Sequence, residues 1–313
     1  MENRPNDGSL HEDELPIDTD LVEALIARDA PEFANLPVRP VESTGSTNMI
    51  FRLGETLSVR LPRQAGGGQD IAKEARLTPM LSAVLPVPVP EVIVVGEPGF
   101  GFSESWSVTR WLPGAHPTRV LAGQPDGVDR QSLAEDLADV VSALRDLEVP
   151  DHISQGLRWY RGGALTDIDL EVRQSLAKCR TIGGLDLDLD KAEAVWDDSL
   201  MLPGADAAGP DRWFHGDLVA ENLLVSEGSL NAILDFGAVS VGDPTIDLHG
   251  AWEILDSPAR EVFARKLGVD EAEWLRGRAW ALGVALGALS YYWARMPGRR
   301  DDRIAMAHNV LSG

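Results

Sequence analysis

An α+β fold is predicted, with strands gathered early in the chain and helices filling the rest. Two observations predict it. Runs rich in β-formers at 38–43, 49–53, 57–61, 92–95 and 106–111 crowd the first third, separated by connectors rich in Gly, Ser, Thr and Pro. From residue 131 onward apolar side chains recur at helical spacing, as in Leu133, Leu137, Val140, Val141, Leu144 and Leu147. The change of pattern divides the chain into an acidic tail expected to be disordered (1–18), a sheet-bearing unit (19–111) and a mainly helical unit (112–313).

Taken in order, Thr19 is a plausible N-cap for a leading helix anchored by Leu21, Val22, Leu25 and Ile26, extended by Phe33 and Leu36. Three strands follow, the first two joined by the connector 44–48, which is small and hydroxyl-rich. Its backbone N–H groups could approach an anion, and it could equally be an ordinary hairpin turn. After Gly66, Gly67 and Gly68, the segment 70–81 is predicted helical, with Ile71, Leu77 and Leu81 inward and Glu74 on the same segment. Pro86, Pro88 and Pro90 force an extended link to the last two strands. Helices are expected at 131–147, 165–179, 191–201, 259–267, 271–293 and 303–311, with Gly183-Gly184 and the acidic run 186–190 between the second and third.

Composition narrows the functional classes. The chain has 313 residues and a formal charge of -22, from 50 acidic against 28 basic side chains, which disfavours nucleic acid and anionic membranes and suits a cationic partner. A solvated acidic surface explains the same charge. Cys179 is the one cysteine, so neither an intrachain disulfide nor a thiolate metal cluster can form, and no H-E-x-x-H zinc motif occurs. The uncharged run 279–294 is short for a bilayer span and contains Gly283 and Gly287, so a buried helix is expected. The first residues lack an apolar signal core, and a cytoplasmic protein is expected. Ser175-x-x-Lys178 and Gly99-Phe100-Gly101 lack the companions that would give them meaning.

The chemistry concentrates in 213–247, W-F-H-G-D-L-V-A-E-N-L-L-V, a turn, then A-I-L-D-F-G-A-V-S-V-G-D-P-T-I-D. His215, Asp217 and Asn222 make H-x-D-x-x-x-x-N, and Asp235 opens D-F-G. A hydroxyl attacking a terminal phosphate needs a carboxylate to orient it and accept its proton, and oxygen ligands to hold Mg²⁺ against the phosphates. Asp217 suits the first task, Asn222 and Asp235 the second. The β-rich runs 223–225 and 232–234, with a turn at Glu227-Gly228-Ser229, predict a hairpin that carries Asn222 and Asp235 toward each other.

H-G-D-L-V-A-E-N with L-D-F-G and G-D-P-T-I-D-L resembles the aminoglycoside phosphotransferase family over about residues 38–300. The resemblance implies a bilobal protein-kinase-like fold: a small N-lobe of antiparallel sheet and helix, and a larger, mainly helical C-lobe. It implies a small-molecule kinase that uses Mg²⁺ and ATP or GTP. By the same resemblance Gly45, Ser46 and Thr47 lie over the phosphates, Arg60 on L-S-V-R-L-P-R reaches them and pairs with Glu74, and the backbone at Arg110 and Leu112 meets the nucleotide ring. Arg60 stands where protein kinases have Lys, and V-R-L-P-R is similar to the strand of macrolide phosphotransferases. The acceptor hydroxyl then belongs to an aminoglycoside or a macrolide antibiotic, with helices near 164–201 shaping its pocket. A metabolic kinase of a sugar, amino alcohol or hydroxy acid would share these residues, and a non-catalytic nucleotide-binding regulator is a third reading, raised by Arg60 and Glu221. Asp243 is expected to brace the catalytic loop, Asp247 to cap a helix from Leu248, and His215 to hydrogen-bond nearby backbone.

Overall fold

The structure, a computed structural model, describes residues 10–41, 45–117, 127–150, 157, 161–207 and 209–313. The packing of the chain defines two compact units, Met1–Ala83 with Pro88–Pro113, and Val84–Val87 with Gly114–Gly313. Residues 1–9 of the expected tail, and residues 42–44 of the first strand and its connector, lie outside the described residues.

In the first unit, helix α1 (Thr19–Asp29) is capped by Asp18 and not by Thr19, because the Asp18 carboxylate accepts the Leu21 N–H at 2.8 Å. Strands β1 (Val38–Pro40), β2 (Asn48–Leu53), β3 (Leu57–Pro62), β4 (Val92–Gly96) and β5 (Trp106–Arg110) form one antiparallel sheet in the order β1-β2-β3-β5-β4. Alternation along β3 sends Leu57, Val59 and Leu61 into a core with Phe51, Leu53, Val108, Trp106 and the α1 residues Val22, Leu25 and Ile26. Ser58 and Arg60 then face the other way, where the Ser58 and Thr109 hydroxyls meet at 2.8 Å.

Helix α2 (Gly68–Ser82) begins two residues before the segment read from the sequence, its Gly68 N–H donated to the Glu104 carboxylate at 3.0 Å. Pro79 lies inside α2 and cannot donate to the chain one turn back, so it sits near the helix end. Gly96 is required by contact: a Cβ there would lie 2.1 Å from the buried Trp106 indole. Residues 10–17, expected in the disordered tail, pack on this unit instead. Leu15 and Ile17 lie against its core, the Leu15 N–H donates to the Arg63 carbonyl at 2.7 Å, and Glu14 pairs with Arg63. The acidic composition hid two apolar anchors and a paired carboxylate.

The second unit is mainly helical: α3 (Arg130–Asp146), α4 (Asp169–Cys179), α5 (Leu189–Leu200), α6 (Ala251–Ile254), α7 (Ser257–Leu267), α8 (Glu271–Tyr292) and α9 (Pro297–Ser312). Helix α3 buries Leu133, Leu137, Val140, Val141 and Leu144, the stripe read from its periodicity. Helix α8 starts in a capping box of Asp270 and Glu273 and buries Ala279, Trp280, Leu282, Leu286 and Leu289. Among the described residues no helix is long and apolar enough to cross a membrane. Helix α9 begins at Pro297, earlier than its apolar spacing suggests, since its first turns are polar and serve another purpose described below.

Two short ribbons complete the unit. Strand β6 (Arg212–Phe214) pairs with β9 (Ser240–Gly242), and β7 (Leu223–Ser226) pairs with β8 (Ser229–Ile233). The β7–β8 turn places both Glu227 (φ 52) and Gly228 (φ 88) in the left-handed region, as a two-residue hairpin turn that matches strand twist requires.

Candidate active site

The residues singled out in the sequence fall into two sets, one in each unit. In the first, Arg60 on β3 and Glu74 on α2 meet at 2.6 Å, both buried. A buried guanidinium paired with a buried carboxylate is costly to move, which fixes its aim. The Ser46 carbonyl accepts from the His11 ring at 2.9 Å, and the Thr47 carbonyl accepts the Arg63 N–H at 2.9 Å. These bonds tie down the connector of Gly45, Ser46 and Thr47, while Thr44 lies outside the described residues. The Arg110 N–H is donated to the Glu91 carbonyl at 2.9 Å, and the Trp111 N–H to the Thr56 carbonyl at 2.8 Å. Arg110 is therefore committed to the sheet as a donor, and its side chain pairs with Glu91 on the surface. Leu112 follows where the strand has ended.

The second set begins where β6 delivers the chain into a sharp bend. Gly216 has φ +82, and a Cβ there would stand 2.9 Å from the Ala238 carbonyl oxygen, so this position excludes a side chain. The N–H groups of His215 and Gly216 donate to the two oxygens of Asp247, each at 2.7 Å. Asp243 instead caps the turn Pro244–Leu248 through the Thr245 N–H at 3.0 Å and pairs with Arg276 at 3.3 Å. The roles expected for the two aspartates are thus exchanged. The reason is local: the chain after Gly242 coils into a 3-10 turn that starts at Pro244, one turn before Leu248, which leaves Asp247 pointing back at the loop. Burial raises the Asp247 pKa, with His215 and the two N–H donors acting against it. The donors, and not solvent, support its charged form.

His215 is fully buried, its ring edge against Phe236 at 4.8 Å. Its Nδ1 accepts the Asp217 N–H at 3.2 Å, so Nε2 carries the proton and donates to the Leu234 carbonyl at 3.0 Å. This matches its expected role as a backbone clamp. It ties the loop after β6 to the end of β8.

Asp217 and Asn222 are locked together. The Asn222 amide nitrogen donates to both the Asp217 carbonyl and Asp217 Oδ2, each at 2.9 Å, across the 3-10 turn Ala220–Asn222. Asn222 Oδ1 is thereby the amide atom turned toward any cation. The Asn222 carbonyl accepts the Leu234 N–H at 2.8 Å, continuing the β7–β8 register so that Leu234 lies opposite Asn222 and Asp235 follows one residue on. Asp235 is held at φ 58, ψ 76, a costly conformation for a side chain with a Cβ, and its carboxylate accepts the Gly237 N–H at 3.3 Å. An amide oxygen and a carboxylate are hard oxygen donors, the kind Mg²⁺ takes when it keeps its remaining places for water and phosphate. These two residues fit such an ion.

Other contacts were not legible in the motif. Arg161 reaches Asp217 Oδ1 at 2.5 Å and the Gly216 carbonyl at 2.8 Å. Burial alone would raise the Asp217 pKa, but the charge of Arg161, with His249, the Arg161 hydrogen bond and Arg303, holds the carboxyl well below the usual carboxylate range. From the other side, Glu221 pairs with Arg299 at 2.6 Å and Arg303 at 2.7 Å, both on α9. Arg303 also bonds Glu253, which accepts the Ala220 N–H at 3.1 Å. Burial first, and then Glu221, push the Glu253 carboxyl up to about 7 against the pull of Arg303 and the Ala220 N–H. Glu221, unusual by sequence beside Asn222, is therefore the grip by which α9 holds the loop. Its charge was the available signal, but its partners lie 82 residues away in the case of Arg303.

Comparison with known proteins follows the geometry. A family model described as "Phosphotransferase enzyme family" (APH) matches residues 37–280. A search of curated proteins returns no match. Among solved structures, the GDP complex of wild-type aminoglycoside 2'-phosphotransferase-IIIa superposes with a TM-score of 0.70 at 19% identity, covering 95% of this chain and 98% of that one. The GDP and kanamycin complex of APH(2")-IIia gives 0.67 at 21% identity, covering 93% and 97%. The apoenzyme of macrolide 2'-phosphotransferase MphH from Brachybacterium faecium gives 0.60 at 23% identity, covering 94% and 98%. The chain has the kinase-like fold that these structures share.

Proposed function

This chain belongs to the APH phosphotransferase enzyme family, and from that premise we propose that it transfers the γ-phosphate of ATP or GTP, with Mg²⁺, to a hydroxyl of a small molecule. The observation that carries the reading is the pair of 2.9 Å bonds from one Asn222 nitrogen to Asp217, which sets a carboxylate and an amide oxygen side by side. Asp217 orients the acceptor hydroxyl and receives its proton. Asn222 Oδ1 and the Asp235 carboxylate hold Mg²⁺, which when bound supplies positive charge to the phosphate oxygens. Arg60, aimed by Glu74, takes the phosphates, the connector of Gly45, Ser46 and Thr47 offers backbone N–H groups, and the backbone around Leu112 receives the nucleotide ring. The cytoplasm, where nucleoside triphosphates are held, is the compartment this chemistry requires.

An aminoglycoside or a macrolide is the proposed acceptor, since structures of similar fold carry those names. A metabolic acceptor, a sugar, amino alcohol or hydroxy acid, is favoured by one observation. Two of the three aspartates in the acidic run that would attract a polycation are engaged: Asp188 caps α5 through the Lys191 N–H, and Asp190 pairs with Arg180 at 2.7 Å. The test is a panel of both antibiotic classes and of these metabolites with Mg-ATP or Mg-GTP, read by the mass of an added phosphate. Asp217→Ala should abolish transfer while nucleotide binding survives. Undiminished transfer by that variant would remove Asp217 from its role, and failure of expressed protein to raise tolerance to either drug class would remove the antibiotics.

A further inference from the structure

Asp217 and Asp235 carry negative charge toward a nucleotide that is itself polyanionic, yet neither 215–222 nor 235–240 contains a lysine or arginine. Like charges brought close in a partly buried site repel, and a cation beside Asp217 offsets that repulsion from the side away from the metal ligands. Arg161 supplies that cation from outside the motif. Its Nη1 lies 2.5 Å from Asp217 Oδ1 and 2.8 Å from the Gly216 carbonyl, with the side chain mostly buried.

The backbone that carries Arg161 is fixed to the same loop. Gly162 follows at φ +79, where a Cβ would stand 2.3 Å from the Phe214 ring, and its carbonyl accepts the Asp243 N–H at 2.7 Å. Gly242 is equally constrained, since a Cβ there would lie 2.4 Å from the Gly162 carbonyl oxygen. Chain segments on both sides of the catalytic loop therefore hold the base of this side chain. Its guanidinium is set against Asp217 by construction, and not by a chance surface pairing.

We propose that Arg161 is a further catalytic residue, whose guanidinium contacts the transferring phosphoryl group as well as Asp217. The proposal rests on the reading of Asp217 as the group that receives the acceptor proton. An acceptor oxygen bonded to Asp217 and closing on the γ-phosphorus brings the equatorial phosphoryl oxygens within reach of the planar guanidinium fork. The acceptor O–H bond breaks with its proton passing to Asp217, and the bond from acceptor oxygen to phosphorus forms. The bond from phosphorus to the β,γ-bridging oxygen breaks, its electron pair leaving on the nucleoside diphosphate. Arg161 keeps its protons throughout.

The experiment uses the full chain and does not depend on knowing the acceptor. Mg-ADP and Mg-GDP are titrated by calorimetry with and without aluminium fluoride, which completes a planar mimic of the phosphoryl group. Wild type should bind the favoured diphosphate more tightly with fluoride present. Arg161→Gln should lose at least about tenfold of that tightening with affinity for the diphosphate alone unchanged, and its nucleotide hydrolysis should fall by about 10²-fold or more. Arg161→Lys, which keeps the charge without the fork, should retain part of the tightening and serves if the glutamine variant folds poorly.

Full tightening in either variant overturns the proposal, as does its absence in wild type. Faster hydrolysis in Arg161→Gln also overturns it, since Arg161 would then be shielding Asp217 from water. Equal loss of affinity for the bare diphosphate would make Arg161 a ground-state contact and equally refute it. Failure of the Asp217 reading is separate: it shows as surviving transfer in Asp217→Ala, whatever the fluoride titration gives.

Discussion

Replacing Asp247 with Asn changes one atom at the centre of the loop and isolates how the catalytic bend is held. In the native protein both carboxylate oxygens accept a backbone N–H at 2.7 Å, from His215 and Gly216, and the side chain is 2% exposed. Hydrogen bonds to a charged acceptor contribute roughly 1.5–3 kcal/mol each, and a buried donor left without a partner costs about 1–3 kcal/mol. An amide keeps one acceptor and turns its NH₂ toward the second N–H, so Asp247→Asn should lose about 2–3 kcal/mol. For a unit of this size that lowers Tm by about 4–12 °C. Asp247→Ala should lose about 3–6 kcal/mol, a large share of the roughly 5–15 kcal/mol that holds a domain folded. The local readout is amide hydrogen exchange: protection of His215 and Gly216 should fall in Asp247→Asn more than protection of the α3 amides. Turnover should drop by about 10²-fold, the effect expected when reacting groups shift by about 1 Å. Native exchange at both amides together with an unchanged Tm would refute the account of how the bend is fixed.

Three further outcomes follow from buried charge. His249 has a pKa pushed down to about 4 from 6.5, by burial first and then by Arg161, against the opposing charge of Asp217. The unfolded chain therefore binds a proton that the folded one refuses, so this contribution is complete above about pH 6.5 and is lost as pH falls, on the order of 3 kcal/mol by pH 4. Urea midpoints at pH 7 and 4.5 should differ less for His249→Gln than for wild type, and an equal difference would contradict this. Arg303→Met takes the cation away from buried Glu253, while Glu221 keeps Arg299, and should lose about 3–5 kcal/mol, with Glu253→Gln in the same chain recovering part of it. A stable Arg303→Met would contradict the grip described for α9. Cys179, 1% exposed and pushed up to about 11 by burial, should react with a thiol reagent only after denaturant is added.

Much of this architecture was legible because its signals are local. The β7–β8 hairpin announces itself by two apolar runs around Glu227 and Gly228, and its register sets Leu234 opposite Asn222, with Asp235 the next residue. The pairing of Arg60 with Glu74 comes from the family resemblance, and the structure places the two at 2.6 Å. Arg161 carries no such signal, since it sits in an irregular stretch where neither the strand nor the helix period applies and only tertiary packing brings it to Asp217. The exchange of roles between Asp243 and Asp247 turns on whether the chain after Pro244 coils as a 3-10 turn or enters an α-helix, a difference of one turn that propensity does not resolve. Residues 10–17 misled for a related reason: Leu15 and Ile17 are outnumbered by acids in composition, although they are enough to seat the segment on the sheet.

The hold of Arg303 on Glu221, across 82 residues of chain, also has a meaning in time. A ribosome adding roughly 5–20 residues per second needs about 4–16 s to travel that distance, during which Asn222 has been made but its outer support has not. The first unit, complete much sooner, can acquire its own core while the loop around Asn222 still waits for α9. A chain stopped before α9 therefore leaves Glu221 without Arg299 and Arg303.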